Sequence, residues 1–396
     1  MRAGSPRLLR EINDRAAIEA LVGGGPLTRA ELETLIGLSK PATAQLLARL
    51  ESAGTVRRCG LRGGGRGPRA QLWQVNGSLA HVAAVDLTPR AVDITVADIT
   101  GAVLAKHHAP MPSGRDADVL TAFVEALDKA AAQAALTLAD LSQVVVGSPG
   151  AVDPRTGRLG FAPHLPGWEG FDVPGRLGEL TGAEVVVEND VNLVAVEEMA
   201  SGRARDVRDF VLLAINPGVG SAVVINRTLL RGATGGAGEI DWMRVPDRAE
   251  HDTGVDRHGA RFGSLLSSAA ITRLGQAHGL PARGGWGALR RALAAGPAGR
   301  PFLADVARRV ATGVAGVVSV VDPELVLLSV GVGEPGVREL CDLVAAELHR
   351  LVVPRTPVEP ALAGPGAVRS GALRSALAVA REQVFGLPAV PPSTPR

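Results

Sequence analysis

Apolar residues recur at helical spacing in three short segments that glycines separate, all before Gly54. The first segment predicts a helix from Pro6 to Val22, and Gly23–Pro26 ends it because glycine and proline interrupt helices. The apolar face of this helix consists of Ala17, Ile18, Leu21 and Val22.

The second segment carries the signals of a helix N-terminus. Thr28 stands at the N-cap position, and Glu31 can return a hydrogen bond to it, which together make a capping box. Leu27 and Leu32 flank that box as a hydrophobic staple, and Gly37 follows where a left-handed residue would end the helix. The predicted buried face consists of Leu32, Leu35 and Ile36.

A third helix is predicted to begin at the N-cap Ser39, to tolerate Pro41 in its first turn and to end before Gly54. Its inward side chains are Leu46, Leu47 and Leu50. Two short helices joined at Gly37 predict a helix-turn-helix, whose second helix enters the DNA major groove. The predicted DNA contacts on this helix are Ser39, Lys40, Gln45 and Arg49, of which Gln45 can pair with adenine.

Residues 56–75 predict a β-hairpin with a basic, glycine-rich tip. The hairpin would form a wing, and Arg62, Arg66 and Arg69 are predicted to reach phosphates or a minor groove. Helix-turn-helix pairs also occur in protein-interaction modules, and glycine–arginine loops also occur as solvated linkers. The combination of all these features in one short segment favours DNA binding.

From Ala80 onward the chain alternates strand and helix patterns. Residues 81–86 and 91–96 predict paired strands, and a helix is predicted over 119–135. Short buried strands are predicted at 144–146, 184–187, 210–213 and 325–328. This alternation is typical of an α/β domain.

Charge divides the chain unevenly. Residues up to Asn76 contain 12 basic and 6 acidic side chains, a net charge of +6, whereas the remaining 30 basic and 34 acidic side chains give −4. A cationic head on a mildly acidic body predicts a polyanionic partner for the head alone. At 396 residues, the chain is long enough for two or three folding units.

Composition excludes several other classes of protein. Cys59 and Cys341 are far apart and are expected to be free thiols in a reducing cytosol. The segment Met1–Pro6 lacks an apolar signal core, and no apolar run approaches the roughly 18 residues of a membrane span. We therefore expect a cytoplasmic protein without membrane contact, with a disordered, proline-rich tail at 388–396.

Several motifs follow one another in a specific order. In the head they are residues 25–54 and the segment GGRGPRA from Gly64. In the body they are GSPGAVDPRTG from Gly147, APHLPGW from Ala162, ENDVN from Glu188, NPGVGSAVVI from Asn216, RGATGGAGEI from Arg231 and DPELVLL from Asp322. Their order, over most of residues 10–380, resembles the ROK family (repressors, open reading frames and sugar kinases) in its regulator branch.

The resemblance implies an α/β protein with an N-terminal winged helix-turn-helix and a two-lobed, actin-like ATPase (ribonuclease H-like) body. A sugar cleft would lie between the lobes, and the family's members often form dimers or tetramers. The predicted boundaries are 1–76 for the head, 77–196 for the first lobe, 197–387 for the second lobe with the C-terminal helix, and 388–396 for the tail.

The resemblance also implies where chemistry is retained and where it is lost. Asp190 matches the catalytic base of the kinases and Asn189 a sugar-binding neighbour, and Asp190 could also cap the helix that follows. The kinases carry Asp-x-Gly-Gly-Thr at the phosphate turn, but this chain has Thr88, Pro89 and Arg90 after Asp86. Proline has no N–H to offer a phosphate, and the two side chains fill space that glycine leaves open.

Two further phosphate or nucleotide segments also depart from the family pattern, at 216–220 and 329–331. We therefore predict no kinase activity and no nucleotide cofactor, with Asp190 as a vestigial base.

The zinc site of the family is absent from the sequence as well. Trp242 stands at the position of a zinc-binding histidine, and residues 256–264 contain no cysteine. We predict no metal, and His251 and His258 are interpreted as loop histidines. Just beyond, Leu265 and Leu266 occupy the candidate positions of a sugar-binding glutamate.

The predicted effector pocket consists of Gly150, His164, Asn189, Asp190, Glu239 and Trp242. Trp242 would either stack under a sugar ring or fill the space of the missing zinc loop. We predict a regulator, most simply a repressor, of carbohydrate-related genes that binds operator DNA as a homodimer or homotetramer and responds to a sugar or sugar derivative. The alternatives are a regulator whose body is only an oligomerisation scaffold, and an active sugar kinase.

Overall fold

The computed structural model describes residues 6–63, 69–112, 118–153, 155–161, 165, 168, 172–216, 218–245, 260–280, 282–330 and 336–387. These residues form a small N-terminal head and a body built on two five-stranded sheets. The predicted fold class is confirmed.

The head consists of three helices and a three-stranded antiparallel sheet in the order β1-β3-β2. Its elements are α1 Pro6–Gly24, β1 Leu27–Thr28, α2 Arg29–Ile36, α3 Lys40–Ser52, β2 Val56–Arg62 and β3 Ala70–Val75. The capping box is present, since Glu31 N donates to Thr28 Oγ1 at 3.3 Å and Thr28 N donates to Glu31 Oε2 at 2.7 Å. Gly37 adopts the left-handed conformation with φ 67° and ends α2.

The core of the head confirms most of the predicted inward positions. Leu32, Leu46, Leu47 and Leu50 are buried together with Trp73 of the wing. The prediction for Leu35 was wrong, since 62% of this residue is exposed. At eight residues, α2 has only one narrow apolar face, and Leu32 and the half-buried Ile36 occupy it.

The first lobe contains a mixed sheet in the order β10-β7-β4-β5-β6. Its elements are β4 His81–Leu87, β5 Ala91–Asp98, β6 Val103–Pro110, α4 Val119–Gln133, β7 Leu141–Ser148, β8 Ala151–Val152, β9 Leu159–Phe161, α5 Val173–Thr181 and β10 Glu184–Asn189. Strands β4, β7 and β10 run parallel, so their carboxyl ends meet at one edge of the sheet.

The second lobe repeats this plan with a sheet in the order β13-β12-β11-β16-β17. Its elements are β11 Phe210–Asn216, β12 Gly218–Ile225, β13 Thr228–Leu229, β14 Arg244–Val245, β15 Ala260–Arg261, α7 Phe262–Leu266, α8 Ser268–Ala277, α9 Gly285–Ala294, α10 Arg300–Val321, β16 Leu325–Ser329, α11 Val337–Leu351 and β17 Val358–Pro360. Helices α7 to α11 enclose an apolar core that includes Phe262 and Phe302.

Helix α6 Asp190–Ser201 contacts strands of both sheets, and α12 Ala367–Phe385 packs against α6. Gly371 of α12 lies so close to Leu193 of α6 that a Cβ there would overlap the Leu193 carbonyl oxygen. The alanines of α12 pack on β4 and β7 of the first-lobe sheet. Short apolar side chains on both partners permit this close packing, which the sequence pattern of α12 alone does not reveal.

The head joins the body through the end of α12. Leu387 lies in the head core with Ile99 of the first lobe, and Phe385 packs against the same cluster. Within the described part of the chain, no helix has the length and apolarity to cross a membrane.

Candidate functional site

The predicted DNA-contacting face of the head is formed by α3 and the wing. Lys40 and Gln45 are exposed on α3, as predicted for groove contacts. Ser39 occupies the N-cap position but its side chain makes no capping hydrogen bond, which leaves its hydroxyl for another role. All three residues are exposed, whereas Leu46, Leu47 and Leu50 of the same helix pack inward.

Two predicted DNA contacts are engaged within the head. Arg49 bonds Asp14 of α1 through both Nε, at 3.3 Å, and Nη2, at 2.5 Å. Arg62 forms an ion pair with Glu31 and donates to the carbonyl of Pro26 at 3.0 Å. These two arginines therefore brace the first and second helices in this state, a role that spacing alone did not indicate.

The wing hairpin itself is present, with β2 and β3 paired in antiparallel register. Arg69 is exposed beside its tip, whereas Arg66 lies outside the described residues. The sequence missed Arg58, whose guanidinium lies 5.0 Å from the centroid of the Trp73 ring and pairs with Glu51 at 2.9 Å. Arg58 thus fixes the wing against the end of α3.

The second site lies where the carboxyl ends of β7 and β10 meet α6. Asn189 is the N-cap of α6, and its Oδ1 accepts from the backbone N–H groups of Val191 at 2.9 Å and Asn192 at 3.1 Å. Its Nδ2 donates to the carbonyl of Gly150 at 3.0 Å. The predicted pair Asn189 and Gly150 is thereby brought together, and Asn189, not Asp190, caps the helix.

Asp190 is the first residue of α6, and burial raises the pKa of its carboxyl group to about 7. The carboxylates of Asp86 and Glu239 add to this effect by repulsion. Burial, followed by the charge of Asp241, also raises the pKa of Glu239. A carboxyl group that titrates near neutrality can exchange a proton with a ligand hydroxyl.

Asp86, at the end of β4, stands directly opposite Asp93 in the antiparallel register of β4 and β5. Burial and the charge of Asp93 raise the pKa of Asp86 to about 6, while Arg369 of α12 opposes that shift. Arg369 also pairs with Asp93 at 3.6 Å. A cation supplied by the protein itself therefore partly neutralises these opposed carboxylates.

The segment at the position of the phosphate turn is a closed hairpin. Thr88 N donates to the carbonyl of Ala91 at 2.9 Å, and Ala91 N donates to Thr88 Oγ1 at 3.1 Å. The carbonyl of Arg90 accepts from Met111 N at 2.7 Å. The backbone N–H of Thr88 is therefore used within the hairpin and does not point into the cleft as a phosphate donor.

The second phosphate segment is likewise built into a hairpin, where Asn216 of β11 pairs with Gly218 of β12. Pro217 lies outside the described residues, as does Gly331 of the third segment, while Val330 is buried in the second-lobe core.

Trp242 follows Glu239 in a short helical turn and is 47% exposed. The guanidinium carbon of Arg261 lies 3.6 Å from the centroid of its ring, and Arg261 also pairs with Asp241 at 3.4 Å. One face of the indole is thus covered by a cation. The sequence missed Arg261, because the contact joins two segments separated by the region of the missing zinc loop.

The remaining residues named in the sequence analysis lie either outside the described residues or in the second-lobe core. His164, His251 and His258 lie outside the described residues. Leu266 is buried and Leu265 packs beside it, so both belong to the second-lobe core. In the described ranges, no three histidine, cysteine or acidic side chains are grouped so as to hold a metal.

The two lobes also touch directly across the cleft. Arg231 of the second lobe pairs with Glu188 of β10 at 2.7 Å, and Glu188 accepts from Asn192 Nδ2 at 2.8 Å. A Cβ at Gly235 would overlap the carbonyl oxygen of Val152, and φ at Gly235 is 78°. This glycine is therefore required for the close approach of the second-lobe loop to β8.

Comparison with known proteins places this geometry in context. A model of the ROK family matches residues 82–382. A xylose repressor from Caldicellulosiruptor bescii is 26% identical over 60% of this chain and 59% of its own length. The DNA-binding transcriptional dual regulator NagC of Escherichia coli K12 and the N-acetylglucosamine repressor of Escherichia coli O6:H1 are each 24% identical over 69% of this chain and 66% of their own length. The matched stretches thus span less than two thirds of each relative.

Solved structures show the same fold. A crystal structure of a ROK family transcriptional regulator superposes with a TM-score of 0.69 at 18% identity, covering 96% of this chain and all of the other. A ROK hexokinase from Thermus thermophilus superposes with a TM-score of 0.59 at 26% identity, over 75% of this chain and 97% of its own. Regulators and kinases therefore share the body, and the head is matched by a regulator.

Proposed function

The chain belongs to the ROK family, and we propose that it is a DNA-binding regulator of carbohydrate-related genes, controlled by a sugar ligand and without kinase activity. The observation that carries the proposal is the contrast within the cleft. Asn189 retains its contacts to α6 and Gly150, whereas Thr88 closes the phosphate turn on itself.

The head supports the reading part of the proposal. It presents the exposed residues Lys40 and Gln45 of α3 next to a basic hairpin, and winged helices contact grooves and phosphates with such a helix and hairpin. A homodimer or homotetramer would place such heads on half-sites about one or more DNA turns apart. The named relatives that are repressors agree with repression as the output.

Sugar recognition would centre on the N-terminus of α6. Asn189 and Asp190 are fixed by the helix they begin, and Glu239 approaches from the second lobe. Carboxylate and amide groups in fixed positions are suited to the hydroxyl groups of a sugar. The relatives named for xylose and N-acetylglucosamine make these two sugars the first ligands to test.

A continuous set of contacts links this pocket to the head. Glu197, near the C-terminal end of α6, pairs with Arg374 of α12 at 2.6 Å. Farther along α12, Arg381 donates to the carbonyls of Ile99 and Thr100, each at 2.9 Å, and Leu387 lies in the head core. A ligand that binds one lobe arrangement better than the other would shift α6 and α12, and with them the heads.

The test is a thermal-shift screen with xylose, N-acetylglucosamine, glucose and their phosphate esters, followed by operator binding in the presence of any ligand that raises the melting temperature. Asn189→Ala should abolish the shift. Asp128→Asn, an exposed substitution on α4, should leave it unchanged and serves as the control. A ligand that raises the melting temperature but leaves operator affinity unchanged would contradict the proposed control of DNA binding.

A second candidate function is a regulator whose body acts only as a scaffold for assembly. The position of Arg261 over Trp242 favours it, because the cation covers a surface on which a sugar ring would stack. No shift with any sugar, combined with intact operator binding, would select this candidate. Sugar-dependent release of ADP from ATP would instead revive the kinase alternative and contradict both.

A further inference from the structure

The body carries its own strongly basic region, which the overall charge conceals. Residues 257–321 contain nine arginines and one acidic residue, Asp305, a net charge of +8. The rest of the body, residues 77–256 and 322–396, contains 21 basic and 33 acidic side chains, a net charge of −12. The expectation that the head alone is cationic was therefore an effect of averaging over the body.

The fold turns most of this charge outward. The basic region corresponds to helices α7 to α10 of the second lobe, whose apolar side chains fill the core beneath them. The exposed arginines are Arg273, Arg283, Arg290, Arg291, Arg300 and Arg308. Of these, Arg300 pairs with Glu339 at 3.0 Å and Arg308 pairs with Asp305.

Three of the arginines are held close enough to repel one another. Arg309 of α10 donates to the carbonyl of Leu265 at 2.9 Å, which fixes its guanidinium in a half-buried position. Burial lowers the pKa of Arg309, and the charges of Arg273 and Arg308 lower it further. Asp305 offers little relief, because it is shared by Arg308 and His278. An anionic partner would relieve this repulsion.

The surface lacks what a single-stranded nucleic acid would need. Phe262 and Phe302 are buried, and Trp286 packs against the core, so no aromatic ring in the described part of 257–321 stands out for base stacking. Arginines without stacking rings suit the phosphate backbone of duplex DNA, where contacts are electrostatic and independent of sequence.

We propose that the exposed arginines of α8, α9, α10 and the loop before α9 form a second duplex-DNA surface that contacts phosphates outside the operator. The proposal rests on the proposed function in one respect, since the head supplies the sequence-specific contact that holds the duplex near the body. Tethering of both surfaces in one chain raises the effective concentration of the flanking DNA at the body.

The test compares full-length variants on a long duplex that contains the operator with extended flanks. Arg273→Gln, Arg283→Gln and Arg308→Gln are combined in one protein. The matched control combines Arg155→Gln, Arg158→Gln and Arg176→Gln, three exposed arginines of the first lobe. Fluorescence anisotropy at several salt concentrations gives the slope of log Kd against log salt.

In the second-lobe triple variant, the magnitude of that slope should be smaller by about 2 to 3, because three phosphate contacts are removed and each contributes roughly 0.9. The control triple should retain the slope. The proposal would be overturned by equal slopes for wild type and the second-lobe variant, or by the same loss in the control. It would also be overturned if inorganic pyrophosphate stabilised wild type and not the variant while both bound DNA alike, since the site would then hold a small anion.

A head variant separates this proposal from the proposed function. Lys40→Ala combined with Gln45→Ala should remove preference for the operator and leave sequence-independent binding, which the second-lobe substitutions then weaken. If wild type shows no operator preference at all, the proposed function fails, yet the second-lobe effect on sequence-independent binding remains measurable. If duplex binding of the head variant is unaffected by the second-lobe substitutions, the body surface is excluded.

Discussion

The two sides of the body's cleft differ in how their backbone is used. On the side of the predicted sugar contacts, called the sugar side, the Asn189 side-chain amide hydrogen-bonds both the N-terminus of α6 and the carbonyl of Gly150. Asp190 follows Asn189 as the first residue of α6. On the side of the family's phosphate turn, called the phosphate side, Thr88 and Ala91 hydrogen-bond each other within a hairpin, so their backbone N–H groups are already used. A transferase needs both sides at once. Under the proposed function, this difference means that the cleft has kept groups for sugar recognition and has lost those for phosphoryl transfer.

The largest effect is expected where the sugar-side helix joins α12. Glu198 of α6 is fully buried, and its carboxylate accepts from the backbone N–H groups of Leu362 and Ala363, each at 2.6 Å, and of Arg203 at 2.7 Å. Glu198→Gln places an amide donor against one of these donors and removes the charge. We expect a loss of about 3 kcal/mol in the free energy of unfolding, measured by urea denaturation.

The control is Glu125→Gln on the exposed face of α4, which should change stability by less than about 0.5 kcal/mol. Equal stability of Glu198→Gln and wild type would mean that the loop before α12 is not held by this carboxylate. The interpretation that α6, on the sugar side, is held firmly by its contacts would then be contradicted.

The second prediction concerns the Asn189 site itself. Asn189→Ala removes the cap of α6 and the bond to Gly150, so we expect a loss of about 1 to 2 kcal/mol in unfolding free energy. Affinity for any sugar found in the screen should fall at least about tenfold, which corresponds to roughly 1.4 kcal/mol. Calorimetric titration measures that affinity. Thr181→Ala, in α5, provides a control that perturbs a capped helix end but not the cleft.

Much of the fold and part of the candidate site could be predicted from the sequence. The capping box at Thr28, the chain order of strands and the departure at Pro89 all follow from local patterns, because each depends on residues a few positions apart. The side of the sheet that α12 covers did not follow, since alanines pack equally well on either lobe. Arg369 beside Asp86 and Arg261 over Trp242 were also missed, because the chain brings them together only through the tertiary fold.

A third prediction concerns pH and the acidic groups of the cleft. The pKa of Asp190 is raised from 3.8 to about 7 by burial and by its acidic neighbours, so the folded chain holds a proton that the unfolded chain releases. Stability from this group is therefore full below about pH 4 and is lost as the pH rises through about 7. Asp190→Asn should stabilise the protein by about 2 kcal/mol at pH 8 relative to wild type, and by little at pH 4.

Urea denaturation across pH 4 to 8 measures the difference, with Asp128→Asn as a control that should show no such dependence. Asp86 lies on the phosphate side, and its charge repels that of Asp190. Asp86→Asn should therefore lower the pKa of Asp190 and make the free energy of unfolding depend less on pH. If the difference in unfolding free energy between Asp190→Asn and wild type stayed constant with pH, the raised pKa of Asp190 would be contradicted.

The smallest effect is expected at the phosphate turn, where Pro89→Gly restores one missing glycine. Because the Thr88 N–H still bonds the Ala91 carbonyl, the substitution frees no donor for a phosphate. Unfolding free energy should fall by less than about 1 kcal/mol through added flexibility of the unfolded chain. A coupled assay for ADP should detect no sugar-dependent turnover. Turnover gained by this single change would mean that the phosphate side is nearly intact and that the two sides of the cleft differ less than their hydrogen bonds indicate.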